Sequence, residues 1–293
     1  MTIDNDSIEF KLAAVQTDVR LGDWQGNMRQ VLQAIDAAAD SQTQLVVFPE
    51  CMLTGYCFES RQEALQVAVS VEDDCWQPIL EATARLSCHV VLGFLETNAA
   101  GQLFNASALI GPEGFATVYR KVHLPHLGVD RFADRGDRAY RSFAAGQARI
   151  GLAICYDSSF PEPMRVLGLA GADIIALGTN WPIAARRTAE LVPPARSMEN
   201  HLFFVAANRV GTERGFQFCG CSSICGPDGV VLASVADDQE TILYADVNLR
   251  QARNKRIERT VGAHVIDRFA DRRPEFYGEV VRPHEQGVDT GDH

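Results

Sequence analysis

The sequence lacks an excess of basic charge: 27 Lys and Arg stand against 38 Asp and Glu, for a formal net charge of −11. Nucleic acids and anionic membranes are bound by basic surfaces, so neither is expected as a partner. There is no apolar run near the roughly 20 residues needed to cross a bilayer. The opening residues, Met1-Thr2-Ile3-Asp4-Asn5-Asp6-Ser7, have neither the basic nor the apolar region of a secretory signal, so a cytoplasmic location is expected. No Pro/Ser-rich linker or charge block divides the 293 residues. One domain is therefore expected, between a short tail at 1–7 and a C-terminal tail mobile from about Pro283. The eight cysteines are scattered rather than set at framework spacings, and they are expected to be thiols. What the chain does have is 46% hydrophobic and 22% charged residues, enough for a self-sufficient core.

Apolar runs of strand length alternate with stretches of helical period. Phe10 to Gln16 reads as a strand, and Asn27 to Asp40 as a helix with Met28, Val31, Leu32 and Ile35 on one face. Further strands are expected at Leu45–Glu50, Val90–Leu95, Leu103–Ile110 and Phe115–Arg120, with a helix around Trp76–Leu86. The second half reads as strand Ile150–Ile154, a helix near Pro163–Ala170, strand Ile174–Leu177, a helix over Ala184–Glu199 and strand Phe203–Ala207. Gly111-Pro112-Glu113-Gly114 and Gly226-Pro227-Asp228-Gly229 are matching turns, which suggests two similar halves. The alternation argues an α/β fold.

Three strand ends carry chemistry. Cys155 ends the apolar run Ala148-Arg149-Ile150-Gly151-Leu152-Ala153-Ile154-Cys155, and a polar, turn-prone segment follows it. A cysteine in such a strand is more often inert packing than a nucleophile. At a strand-to-helix turn, however, the strand fixes the thiol and the turn offers N–H groups to an oxyanion. Glu50 ends Leu45-Val46-Val47-Phe48-Pro49-Glu50, and Lys121 leaves Val118-Tyr119-Arg120-Lys121. Singly, these are an ordinary solvated acid and a surface lysine. The ordered set of Glu, Lys and Cys at three strand ends is not readily explained so.

The motifs Phe48-Pro49-Glu50, Tyr119-Arg120-Lys121-Val122-His123-Leu124 and Ile154-Cys155-Tyr156-Asp157 resemble those of the nitrilase, or carbon–nitrogen hydrolase, superfamily. Phe160-Pro161-Glu162, Thr179-Asn180-Trp181-Pro182, Ala195-Arg196-Ser197-Met198-Glu199-Asn200 and Ala206-Ala207-Asn208-Arg209 add to the likeness, which spans residues 8 to 278 or so. The resemblance implies a four-layer αββα sandwich with a C-terminal extension, and a homodimer or higher even homo-oligomer. It implies Cys155 as nucleophile, Glu50 as general base, and Lys121 as the cation that lowers the thiol pKa. With the backbone N–H of Tyr156, Lys121 would also stabilise the oxyanion. Tyr56, Asn180 and Trp181 would line the substrate pocket, although Trp181 reads equally well as core. Neither metal nor organic cofactor is required.

Many relatives carry a second glutamate after the lysine. Here no glutamate lies between Lys121 and Cys155, and Asp130 is the candidate substitute. Cys155-Tyr156-Asp157 is similar to amidase-like branches, whereas true nitrilases usually have Cys-Trp-Glu. The expected activity is therefore hydrolysis of a small amide through a thioester, with nitrile or N-carbamoyl amine hydrolysis as alternatives. From a different class, a non-catalytic oligomeric binding protein is the rival. Glu162 and Arg165 are expected to hold the nucleophile turn or an interface. Arg131, Arg186 and Arg187 are the cations to consider for a substrate carboxylate. Cys219, Cys221 and Cys225 match zinc spacings poorly, and His123 and His126 lack a carboxylate partner in sequence.

Overall fold

The computed structural model describes residues 7–283. The expected tails, 1–7 and the mobile stretch from about Pro283, lie almost wholly outside them. The chain forms two compact units, the first ending at Asn254 and the second beginning at Lys255.

In the first unit, the opening half comprises β1 (Glu9–Gln16), α1 (Trp24–Asp40), β2 (Leu45–Val47), α2 (Arg61–Leu65), α3 (Gln77–Leu86), β3 (His89–Thr97), β4 (Leu103–Gly111) and β5 (Gly114–Arg120). There follow β6 (Ser142–Ala145), β7 (Ala148–Ile154), α4 (Pro161–Leu169), β8 (Ile174–Thr179), α5 (Arg186–Asn200) and β9 (Phe203–Asn208). A small ribbon of β10 (Thr212–Glu213) and β11 (Phe216–Gln217) precedes β12 (Ser223–Cys225), β13 (Val231–Ser234), β14 (Thr241–Asn248) and α6 (Leu249–Arg253).

The large strands form two six-stranded sheets, ordered β14-β1-β2-β3-β4-β5 and β13-β12-β9-β8-β7-β6. In both, three central strands run parallel and the flanking ones antiparallel. The run β7-β8-β9-β12-β13 repeats β1-β2-β3-β4-β5, and β6 stands where β14 stands in the first sheet. The two similar halves expected from the Gly-Pro-acid-Gly turns are thus two sheets of one topology.

Period-two alternation sorts the side chains into layers. Leu12 and Ala14 of β1 join Val47, Val91, Leu152, Ile154, Ile174 and Val205 in a core between the sheets. Ala13 and Val15 point the other way and pack with Val31 and Ile35 of α1 and Ile79 and Ala82 of α3. On the outer side of the second sheet, Met164 and Leu167 of α4 and Ala189 of α5 supply the helical layer. The result is the α/β, four-layer αββα sandwich. In the second unit, β15 (Arg256–Thr260) and β16 (His264–Asp267) form a hairpin, followed by single 3-10 turns at Pro274–Phe276 and Gly278–Val281.

Candidate active site

Cys155 closes β7 and opens a 3-10 turn over Cys155–Ser159. Its φ of +42° lies in the left-handed region that non-glycine residues seldom adopt, so the surrounding bonds must hold it there. Asp157 Oδ2 accepts from the Ile154 N–H (3.0 Å), and the Ser158 hydroxyl donates to the Cys155 carbonyl (2.7 Å). From α5, the Arg196 guanidinium donates to the Ser158 and Ser159 carbonyls (2.9 and 3.1 Å). Arg196 thus braces the nucleophile turn directly, and Arg165 of α4 donates to the Glu199 carbonyl.

Asp157 also ties this turn to the lysine segment. The Tyr119 hydroxyl donates to its Oδ2 (2.7 Å), and the His123 N–H to its Oδ1 (3.2 Å). His123 Nδ1 lies 2.8 Å from the same oxygen. Tyr119 and His123 flank Lys121 in sequence, two residues to either side. His123, without a carboxylate partner in the sequence reading, therefore has one in the fold, and its ring stacks on Phe160 at 4.0 Å.

Glu50 sits past the strand end rather than on it. β2 stops at Val47 because Pro49 has no N–H to give a ladder and Cys51 takes φ +51°. The turn is pressed between the sheets at two glycines. A Cβ on Gly93 of β3 would come within 2.5 Å of the Cys51 nitrogen, and one on Gly178 of β8 within 2.8 Å of the Phe48 carbonyl oxygen. Only a residue without a Cβ lets the Glu50 turn sit there.

Lys121 follows β5 and is fully buried. Its Nζ donates to Glu50 Oε1 and Asp130 Oδ2, both at 2.6 Å. Asp130, on a 3-10 turn over Gly128–Arg131, also accepts from the Tyr56 hydroxyl at Oδ2 (2.8 Å). The shorter aspartate thus reaches the lysine. Asn105, on β4, was not singled out by the sequence; its Nδ2 donates to Glu50 Oε1 (2.7 Å) and Asp130 Oδ1 (2.9 Å). Glu50 Oε1 is therefore doubly engaged, while Oε2 is buried without a hydrogen-bond partner.

Burial dominates the ionisation of these groups. It pushes the Cys155 thiol up to about 12, and the Glu50 charge adds to the rise. Lys121, the Thr179 hydroxyl and the Asn180 N–H oppose it without prevailing. Lys121 does pull the thiol down, as a cation must, but the net direction is upward. Burial and the neighbouring Asp130 also raise Glu50 above the ordinary carboxylate range, against Lys121 and Asn105. For Lys121, burial works toward the neutral amine, yet Asp130 and Glu50 outweigh it and keep it an ammonium. Burial and Asp130 raise the Tyr56 phenol, leaving it a donor.

Thr179 and Asn180, at the end of β8, are the other neighbours of the thiol. The Thr179 hydroxyl lies against the thiol, and both Asn180 side-chain polar atoms are buried without hydrogen-bond partners. Trp181 is buried, its N–H donating to Asn208 Oδ1 (2.9 Å). The Tyr156 ring is partly exposed and packs edge-on against Phe160. His126 and Arg131 line a cleft of about 270 Å³ with Cys57, Glu59, Arg214 and Phe216. The Arg131 guanidinium donates to the Gly128 and Phe58 carbonyls. Arg186 donates to the Ala236 carbonyl, and Arg187 pairs with Glu190. All eight cysteines are thiols. Among the described residues no group of three or more His, Cys, Asp and Glu side chains is placed to hold a metal ion, and no helix is long and apolar enough to cross a membrane.

A carbon-nitrogen hydrolase family model matches residues 11–257. A nitrilase of Pyrococcus abyssi is 36% identical over 270 residues, which cover 91% of this chain and 98% of that protein. An (R)-stereoselective amidase of a Pseudomonas species is 38% identical over 78% of this chain and 82% of its own length. The crystal structure of a carbon-nitrogen hydrolase from Helicobacter pylori G27 superimposes with a TM-score of 0.84, at 21% identity, over 94% of this chain and 99% of that one, and so shares the fold. With the thiol, carboxylates and ammonium of the buried site, these likenesses establish that the chain belongs to the carbon–nitrogen hydrolase family and is an enzyme of that class.

Proposed function

We propose that this hydrolase acts on a small primary amide, releasing ammonia and a carboxylic acid through a Cys155 thioester. The observation that carries the reading is the set of unpartnered buried atoms among the thiol's neighbours: Glu50 Oε2, Asn180 Oδ1 and Asn180 Nδ2. A buried polar atom without a partner costs about 1–3 kcal/mol, so such a cluster suits a ligand that completes it. It combines acceptors and donors. A primary amide offers a carbonyl acceptor and two N–H donors; a nitrile offers only an acceptor. Sites built to hydrogen-bond a substrate group discriminate strongly against analogues lacking it.

The steps follow from the ionisation of the site. The thiol is protonated at neutral pH, so Glu50 Oε2 takes its proton as Sγ attacks the carbonyl carbon. Lys121 and the Tyr156 N–H stabilise the oxyanion. The C–N bond then breaks, and the leaving nitrogen takes the proton from Glu50 and departs as ammonia. Water, deprotonated by Glu50, attacks the thioester, and the acid leaves as the proton returns to sulfur. Asp130 and Tyr56 orient the ammonium, and Asn180 and Trp181 flank the acyl group.

The Pyrococcus abyssi relative bears the name nitrilase, which keeps nitrile hydrolysis as the second reading. Initial rates of ammonia release from matched amides, nitriles and N-carbamoyl amines separate them. Turnover of amides alone, lost in Cys155→Ala, is the expected result; faster turnover of the matched nitriles would reverse the assignment. We further propose that the enzyme works in the cytoplasm as a homodimer or higher even oligomer. Exposed Val166 and Leu169 on α4, and Leu191 and Met198 on α5, are apolar surface that a second copy would cover. Light scattering is expected to give an even multiple of the 32.1 kDa chain mass.

A further inference from the structure

Asn105 is buried on β4, opposite Leu95 of β3, and it contacts three of the charged residues of the site. Its backbone carbonyl accepts from the Lys121 N–H at 2.8 Å, fixing the point from which the lysine side chain departs. Its side-chain amide donates one hydrogen to Glu50 Oε1 (2.7 Å) and the other to Asp130 Oδ1 (2.9 Å). Both hydrogens of a single NH₂ group are thus spent on two carboxylates that face the same ammonium. The amide oxygen points the other way, toward Cys51, whose thiol donates to it at 3.5 Å. Turned over, the amide would aim its oxygen at two anions, so the orientation is fixed by charge as well as by the Cys51 contact.

We infer that Asn105 is a positioning residue for the reaction, one amide that holds Glu50 and Asp130 together against Lys121 and leaves Glu50 Oε2 as the free basic oxygen. The inference rests on the reading of Glu50 as the base. A hydrogen bond donated to a carboxylate favours its charged form. Two carboxylates around one ammonium leave the cluster with one uncompensated negative charge, and burial presses one of them toward the neutral acid. If Glu50 were to accept a proton, the thiol would lose its acceptor. Asn105 acts against that outcome through two short bonds, without adding charge. The groups facing Glu50 are Lys121 from the end of β5, Asp130 from its 3-10 turn, Cys155 from β7, Tyr56 and Cys51 from the segment after Glu50 itself, and Asn105 from β4. Among these, Asn105 is the neutral donor bonded to both carboxylates.

The test does not require the natural substrate. The rate of Cys155 carboxamidomethylation by iodoacetamide is measured by peptide mass spectrometry from pH 5 to 9, in the wild-type protein and in Asn105→Leu and Asn105→Ser. In the wild type the rate should fall on the acid side as Glu50 gains its proton. Removing the amide raises the pH at which that proton is taken up. In both variants the midpoint is expected to move upward by about one pH unit, so that near pH 6 the rate falls about tenfold and recovers on the alkaline side. A uniform loss at every pH, or an unmoved midpoint, would mean that Asn105 is only a packing residue and would overturn the inference. Should the leucine variant fail to fold, the serine variant carries the same expectation, and Cys51→Ala, which frees the amide to turn, a smaller upward shift. A wild-type profile with no acid limb would remove Glu50 as the base, and the inference with it. A wild-type limb that the variants leave in place would remove the Asn105 role alone.

Discussion

At the scale of residues, the site is a protonated thiol facing a carboxylate that is free at one oxygen. That differs from a preformed thiolate–cation pair. Because burial and Glu50 push the Cys155 thiol up to about 12, essentially no thiolate exists at pH 7 in the unliganded protein. Difference absorbance at 240 nm between the wild type and Cys155→Ala, titrated from pH 5 to 10, is expected to show no thiolate step near neutrality. A midpoint close to 7 would mean that Lys121 governs the thiol after all. With Glu50 as the proposed base and its carboxyl shifted upward by burial, activity is expected to fall as the pH drops through that raised value. Glu50, Lys121 and Cys155 were legible in the sequence as candidates because each stands in a strand-end motif. Asn105 was not, because it lies inside the apolar strand Leu103–Gly111, where a single polar residue carries no local signal. The partners of Asp157 were equally hidden: Tyr119, Tyr140 and His123 reach it across 17 to 38 residues of chain.

At the scale of elements, two glycines and one arginine locate the chemistry. Gly93 and Gly178 let the Glu50 turn lie between β3 and β8, and Arg196 of α5 clasps the turn that begins with Cys155. In Gly178→Ala the new methyl would meet the Phe48 carbonyl oxygen at 2.8 Å and the Glu50 nitrogen at 3.0 Å, both backbone atoms that cannot rotate aside. The Glu50 turn must shift, and a displacement near 1 Å at a catalytic group costs on the order of 10²-fold in rate. The predicted result is a large loss of kcat in a protein that still folds, judged by thermal denaturation and circular dichroism; full activity would show that the turn has slack. Sequence pattern located most of these elements. It extended the strand before Glu50 too far: Phe48 still donates its N–H to the Val91 carbonyl (2.9 Å), but Pro49 has none to give and the chain turns away. It also gave no sign of β14, whose eight residues pair with all of β1 from more than 220 positions away. Such pairing is a property of the fold and leaves no mark on neighbouring residues.

At the scale of the whole molecule, the two sheets share one topology but divide the work. The first sheet's strand ends bring Glu50 and Lys121, and the second brings Cys155, Thr179 and Asn180. Their relative placement is secured by a buried ion pair. Arg209, fully buried after β9, pairs with Glu213 (2.7 Å) and with Asp18 after β1 (2.9 Å). Glu213 in turn accepts the N–H groups of Tyr56 and Cys57, holding the segment that contacts Asp130. Removing one member leaves the other charge buried and unpaired, at a cost of about 3–5 kcal/mol. Arg209→Met is therefore expected to lower unfolding stability by that amount in urea titration; a change under about 1 kcal/mol would show that the pair is dispensable.

The central claim is that carbon–nitrogen cleavage passes through a thioester on Cys155. Rapid mixing of the enzyme with a turned-over amide, acid quench and mass spectrometry of the Cys155 peptide tests it directly. The peptide should gain the mass of the substrate less ammonia, transiently and only while amide remains. Ammonia release at full rate with no adduct on Cys155, or an adduct on another side chain, would contradict the account.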